Sequence, residues 1–239
     1  MSTFPSNPVI HIAGLTKSYS RGGQETPVLQ GIDLDVHAGE CVFLAGPSGS
    51  GKTTLLSILG AILTHDQGDV HVLDHDLARI TNRERTLLRR DRIGFVFQKF
   101  HLIRGLTALD NVCVPLQLRG QRVRTARERG RELLNAVGLA DKMLSLPKNL
   151  STGQCQRVAL ARALAVNPDL ILADEPTASL DSASGHEAME LLRKLTTDAG
   201  KTMIVVTHDP RIFSFADRIC HMDSGRLTHH ETPTANLAG

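Results

Sequence analysis

Eight residues near the start of the chain, Gly46-Pro47-Ser48-Gly49-Ser50-Gly51-Lys52-Thr53, have the spacing of a phosphate-binding loop. Small residues let successive backbone N–H groups close around phosphate oxygens, the lysine reaches the outer phosphates, and the last hydroxyl can hold Mg²⁺. Far downstream, Asp174-Glu175 sets two carboxylates directly after the apolar run Leu170-Ile171-Leu172-Ala173. A buried strand that ends in two carboxylates is costly unless a metal or a proton-transfer task uses them; the plainer alternative is a strand-end turn. Gln98 follows Ile93-Gly94-Phe95-Val96-Phe97, and His208 follows an apolar stretch that begins at Thr202.

These side-chain types can hydrolyse a terminal phosphate, a reaction that asks for charge neutralisation, a held metal and a positioned water. Lys52 and the loop amides, with Thr54 behind them, are expected to hold phosphates. Thr53, Gln98 and Asp174 are the candidate Mg²⁺ ligands, Asp174 directly or through water. Glu175 is the candidate general base, and His208 can hydrogen-bond the γ-phosphate. Gln98 can equally be an ordinary strand-end amide. Tyr19, the one tyrosine, is either a partly buried packing residue or a ring on which adenine stacks. A further helix start lies at Ser151-Thr152-Gly153-Gln154, where serine followed by glutamine three residues on is a capping box, and a capped helix start is an anion site.

Strands and helices must deliver these groups. The apolar run at 41–45 reads as a short buried strand, and the residues after Lys52 as a helix reaching about residue 63. A first strand is expected at 9–12, a polar loop at 20–27, and a half-exposed strand where Ile32, Leu34 and Val36 alternate with polar residues. A strand is expected at 69–73, and Thr81-Asn82-Arg83-Glu84 is a capping box that opens a helix through Arg90. Between 99 and 154 helical segments starting near Thr107 and Thr125 replace the strand–helix alternation, with Pro115 and Gly120 expected to interrupt them. Asp181 can cap a helix that runs to Ala199. Strands at 202–207, 218–222 and 226–228 follow, then a mobile polar tail over 231–239. Four strands thus end at Gly46, Gln98, Asp174-Glu175 and His208. In an open parallel sheet, ligands bind beyond the carboxyl ends of the strands, so these groups are expected to converge on one nucleotide.

Composition sets the limits. With 239 residues and 41% hydrophobic content, the chain can bury a full α/β core in one large domain. The expected division is an antiparallel region at about 8–40, a nucleotide core at about 41–98 and 155–230, and a helical insertion at about 99–154. No stretch approaches the ~18 apolar residues of a membrane span, and residues 1–8 lack signal-peptide features, so a membrane role is expected to come through a partner. A net charge of +2 gives no argument for nucleic acid. The arginine-rich run at 119–131 reads mainly as a solvated helix face, with acidic lipid or an acidic partner surface as the other option. Cys41, Cys113, Cys155 and Cys220 lack C-x-x-C spacing and read as reduced, core-filling thiols. His71, Asp74, His75 and Asp76 are the densest metal-type cluster, but a solvated turn explains them better than zinc.

In this order, Tyr19, residues 46–53, Gln98, residues 150–154, residues 170–175, Ser179-Leu180-Asp181 and His208 resemble the ATP-binding subunit of an ABC transporter, over nearly the whole chain. The resemblance implies a P-loop NTPase core with a mainly parallel sheet, an N-terminal antiparallel β subdomain and an inserted helical subdomain. It implies ATP and Mg²⁺, and two copies stacked head to tail around two ATP molecules, Ser151, Gly153 and Gln154 of each closing on the γ-phosphate held by the other. Thr152 stands where the family usually has glycine. Residues 93–98, 106–112 and 172–184 resemble the group serving lipoprotein release, macrolide export and cyanobacterial glycolipid export. Asp209-Pro210-Arg211-Ile212 and Ala216-Asp217-Arg218-Ile219 are most similar to the glycolipid branch. Such subunits sit on the cytoplasmic side of the inner membrane and drive a separate permease with a periplasmic domain, often with an adaptor and an outer-membrane channel. The alternatives are a soluble ABC ATPase of translation or DNA repair and an importer subunit.

Overall fold

The computed structural model describes residues 8–197 and 200–233. Two long strands open the chain, β1 (Ile10–Arg21) and β2 (Gln24–Val36), paired antiparallel out to Arg21 and Gln24. The polar loop expected at 20–27 is instead a hairpin. Gly22 and Gly23 have φ of 61° and 82°, and two left-handed residues make the tight turn whose twist matches the flanking strands. β3 (Cys41–Ala45) leads through the glycine-rich loop into α1 (Lys52–Leu59), which stops short of residue 63. The helix ends where Ala61 takes φ 54°, and Gly60 before it packs so closely that a Cβ would lie 2.4 Å from the Phe95 ring.

β4 (Gln67–Val72) and the short β5 (His75–Asp76) return to the first sheet, whose order is β2-β1-β4-β5. α2 (Asn82–Asp91) begins at the expected capping box, in which the Thr81 hydroxyl accepts from the Glu84 amide and the Glu84 carboxylate accepts from the Thr81 amide. β6 (Ile93–Val96) then enters the second sheet. The helical insertion contributes α3 (Ala108–Leu118), capped by Thr107, and α4 (Val123–Ala136). Pro115 does not interrupt α3: burial of Val112, Cys113 and Leu116 around it offsets the hydrogen bond that proline forfeits. In the arginine run, Arg124 pairs with Glu128, Arg127 with Asp110 and Arg129 with Glu132.

α5 (Thr152–Ala163), β7 (Leu170–Asp174), α6 (Ser182–Thr197) and β8 (Thr202–Thr207) complete the alternation. β9 (Arg218–Asp223) and β10 (Arg226–Glu231) form a closing hairpin, so Glu231, expected to start the tail, is paired with Ile219. The expected helix end at Ala199 and the tail from residue 234 lie outside the described residues. The second sheet runs β10-β9-β3-β8-β7-β6, parallel throughout except for β10.

Both faces of this sheet are covered, which explains the unbroken apolar runs in its strands. Val42, Leu44, Leu172 and Ile204 face α1 and the antiparallel sheet, in one core with Ile10, Ile12, Leu55 and Leu59. The alternate residues Phe43, Ala45, Ile171 and Val205 face the helices, with Leu109, Leu134, Leu160 and Met189. Each of the Val, Leu, Ile, Phe and Met side chains among them, when fully buried, contributes about 1.5–3 kcal/mol before the cost of ordering it. The cysteines carry no disulfide, and burial pushes the Cys41 thiol up to about 12 and the Cys220 thiol up to about 11. Among the described residues, no helix is long and apolar enough to cross a membrane.

Candidate active site

β3, β6, β7 and β8 are parallel neighbours in one sheet, so their carboxyl ends open on one edge. Beyond that edge lies a cleft of about 570 Å³. Tyr19, Lys52, Thr53, Thr54, Gln98, Glu175 and His208 line it, with Pro47, Ser48, Gly49 and Gly51 of the loop. Gly46 and the buried Ser50 belong to the loop's inner wall and bind Lys52 from behind.

The loop has the shape its glycines permit. Gly46 has φ 151°, and a Cβ there would lie 2.0 Å from the Met222 carbonyl oxygen. Gly51 has φ 102° and is the N-cap of α1, where no side chain caps the helix start. Unsatisfied amides in a first helical turn carry partial positive charge toward whatever lies beyond them. The Lys52 ammonium donates to the carbonyls of Gly46 at 2.8 Å and Pro47 at 2.7 Å, and to the Ser50 hydroxyl at 3.3 Å. Burial lowers its pKa, against the pull of the Glu175 and Asp174 charges.

Asp174 ends β7 within reach of α1, and its Oδ1 accepts from the Thr53 hydroxyl at 3.2 Å. Burial raises the Asp174 carboxyl above the ordinary aspartate value; the Thr53 hydrogen bond opposes this, the Glu175 charge adds to it and Lys52 works against it. Glu175 turns the chain with φ 49°, a left-handed conformation that costs a non-glycine residue free energy and recurs at functional sites. Its amide donates to the Val206 carbonyl at 2.9 Å, which holds the turn against β8. His208 at the end of β8 brings Nδ1 to 2.7 Å from Glu175 Oε1, so imidazole and carboxylate form a hydrogen-bonded pair. Ser179, beyond Glu175, donates its hydroxyl to the Gln98 carbonyl at 3.3 Å.

Ser151, Gly153 and Gln154 do not line this cleft; they form the first turn of α5. Ser151 Oγ accepts from the Gln154 amide at 3.2 Å, and Gln154 Oε1 accepts from the Ser151 amide at 2.9 Å. Ser151 and Thr152 are exposed there.

The family model described as ABC transporter matches residues 29–178, from within β2 to the turn after Glu175. The chain belongs to the ABC transporter family. This ABC domain is 44% identical over 220 residues to an uncharacterized ABC transporter ATP-binding protein of Mycobacterium tuberculosis, covering 92% of this chain and 89% of that one. It is 41% identical over 226 residues to the macrolide export ATP-binding/permease protein MacB of Wolinella succinogenes, covering 95% of this chain but only 35% of that longer protein. Among solved structures, the ATP-binding cassette MJ0796, dimeric in a post-hydrolysis state with ADP and Pi, superposes with a TM-score of 0.87 at 41% identity, over 93% of this chain and 98% of that one. CbiO1 of Clostridium perfringens, part of the transporter complex cbiONQ, gives a TM-score of 0.85 at 27% identity, over 95% and 90% of the two chains. The fold is that of an ABC ATPase cassette.

Two parts of this ABC site escape sequence reading. Val28 and Val206 supply apolar wall, and nothing in the type of either residue marks it as cleft lining. The turn between β9 and β10 buttresses the phosphate loop: the Gly225 amide donates to the Ser50 carbonyl at 3.0 Å, and the Gly225 carbonyl accepts from the Gln30 amide at 2.9 Å. A Cβ on Gly225 would lie 2.4 Å from the Val28 carbonyl oxygen. The Asp223-Ser224-Gly225 signal announces a hairpin turn but not the strand it rests on.

Proposed function

We propose that this chain is the ATP-hydrolysing subunit of an ABC transporter of the export group, acting as a pair around two ATP molecules and driving a separate membrane permease. The carrying observation is the meeting of Lys52, Thr53, Gln98, Glu175 and His208 in one cleft at the ends of parallel strands. Family membership and the likeness to a cassette bound to ADP and Pi support ATP as the nucleotide and hydrolysis as the reaction.

In this reading Lys52, the loop amides and Thr54 hold the phosphates, and Tyr19, 44% exposed at the cleft, offers its ring to adenine. Thr53, Asp174 and Gln98 would hold Mg²⁺; their donors are all oxygens, the set a hard cation takes, and the Thr53–Asp174 contact of 3.2 Å suits the pairing. Bound there, the ion would neutralise charge on the β- and γ-phosphate oxygens. Glu175 orients a water and takes its proton as the water oxygen bonds to the γ-phosphorus and the bond to ADP breaks. His208 holds the Glu175 carboxylate in place through the 2.7 Å hydrogen bond.

Ser151, Gly153 and Gln154 of a second copy supply the other half of the site, as dimeric cassettes at 41% identity suggest. The likeness to a macrolide export protein supports the export group, and residues 209–212 and 216–219 support its glycolipid branch. The chain would sit on the cytoplasmic side of the inner membrane, with a permease that carries a periplasmic domain and works with an adaptor and an outer-membrane channel. Glu175→Gln is expected to cut phosphate release by about 10²-fold or more, as loss of a general base does, while ATP affinity persists. Near-normal turnover by that variant would overturn the reading.

A further inference from the structure

The histidine-rich end of the described chain builds a side-chain cluster that the nucleotide reading leaves unused. In the β9–β10 hairpin His229 lies directly opposite His221, and Glu231 opposite Ile219. Successive residues on a strand point to opposite faces, so His221, His229 and Glu231 share one face while Cys220 and His230 share the other. The pairing places His230 Nδ1 3.0 Å from Cys220 Sγ on that second face. This register depends on one irregularity between Leu227 and His229.

On the first face the three ligand-type atoms lie within 4.8 Å of one another. The imidazoles of His221 and His229 stack with centroids 4.0 Å apart and planes within 8°, and His221 Nε2 is 3.0 Å from Glu231 Oε1. Four-coordinate zinc with bonds near 2.0–2.1 Å needs ligand atoms about 3.4 Å apart. One contact is already inside that distance; for the others the His229 ring must rotate out of its stack on His221 so that both in-plane lone pairs converge, and the exposed positions of His229 and Glu231 leave room for that rotation. Of His71, Asp74, His75 and Asp76, the densest cluster in the sequence, two have other engagements: His75 Nδ1 lies 2.7 Å from the Leu73 carbonyl, and Asp76 pairs with Arg79 at 3.0 Å.

The hydrogen bonding around His229 suits a metal ligand. The Thr228 hydroxyl donates to the His221 carbonyl at 3.2 Å, which turns an oxygen lone pair toward His229 Nδ1, also 3.2 Å away. In the tautomer that donates Nδ1–H to this oxygen, the His229 lone pair is left on Nε2. Metal-binding histidines are commonly oriented in this way, through a hydrogen bond from the other ring nitrogen. His221 is steadied from its other side by an edge contact with the Phe213 ring, centroids 6.3 Å apart.

We infer that His221, His229 and Glu231 form a site for a zinc-class divalent cation that staples β10 to β9. Two imidazoles and one carboxylate suit Zn²⁺, Co²⁺ or Ni²⁺ and disfavour Mg²⁺, which prefers an all-oxygen shell. Three protein ligands leave one position for water. Among the described residues β10 is the edge strand, paired with β9 alone, so an ion that binds the paired hairpin raises the stability of the folded state by mass action.

The test uses the full chain, stripped with a chelator and free of nucleotide, titrated with Co²⁺ and followed by its visible absorption. One Co²⁺ per chain is expected, displaced by Zn²⁺ and not by Mg²⁺, with Zn²⁺ raising Tm. His229→Ala should weaken binding more than about tenfold, and Thr228→Val, which touches no metal, by about 10–100-fold. His71→Ala should change neither affinity nor Tm shift. Circular dichroism of each metal-free variant checks that the fold is kept. Absence of a saturable signal from the wild-type chain, or His229→Ala binding as tightly as wild type, would overturn the assignment.

Discussion

At the scale of single residues, Asp174 separates stability from function. Burial raises its pKa in the folded chain, so between its unfolded and folded values the folded state holds the extra proton. Stability therefore falls as pH rises through that window and stays lowered above it. Asp174→Asn removes the buried charge while its amide oxygen can still accept from Thr53. At neutral pH and without nucleotide the variant is expected to melt at a higher temperature than wild type, while Mg²⁺-dependent hydrolysis falls by about 10²-fold. A lower Tm at neutral pH would show that the Thr53 and Lys52 interactions outweigh the cost of burial. The residues of the phosphate loop and the carboxylate pair were legible because each group is contiguous in sequence. The bond between His208 and Glu175 was not, since it joins the ends of two strands 33 residues apart.

Among elements, the segment after Gln98 is held by the helix that follows the Ser151 cap. Phe100 and His101 have φ of 55° and 47°, a strained pair for side chains with a Cβ. Arg162 on α5 donates Nη2 to the Phe100 carbonyl and Nη1 to the His101 carbonyl, each at 2.6 Å. Burial lowers the pKa of that guanidinium, and two short charge-assisted bonds offset its desolvation. Arg162→Ala is expected to cost about 1.5–3 kcal/mol in urea melts, as loss of hydrogen bonds to a charged group does. Turnover should fall more than ATP affinity, because Gln98 loses its anchorage while the phosphate loop keeps its own; equal losses in both would put Arg162 outside this coupling. Helix starts were legible at Thr81 and Ser151, since a capping box is closed within four residues. The antiparallel pairing of β1 and β2 was legible, but its extension to the Gly22-Gly23 turn was not, because the strand residues there are polar. Pro115 was misjudged because tertiary burial outweighed a local preference.

For the whole molecule, the capped start of α5 is proposed to act on the site of a second copy. Gly153 sits in the first turn of that helix, and a Cβ there would meet nothing within 4 Å. An aspartate at this place fits sterically and complements the helix dipole, yet it sets a negative charge where the partner's γ-phosphate is proposed to dock. Glu175→Gln with ATP is expected to double in mass by light scattering, and adding Gly153→Asp should return it to monomer with Tm unchanged or raised. Dimerisation of the double variant would remove α5 from the composite site. The sequence by itself determined the alternating strands and helices, the phosphate loop, the helix caps and the family, because these reside in contiguous motifs and in the periodicity of burial. Only the tertiary structure decided that β4 and β5 join the first sheet, that Gly225 supports Ser50, and that His208 rests on Glu175. It alone brought His221, His229 and Glu231 onto one face. Those outcomes depend on sheet order and register, and register turns on shifts as small as the one beside Thr228, where one extra residue exchanges the two faces of a strand.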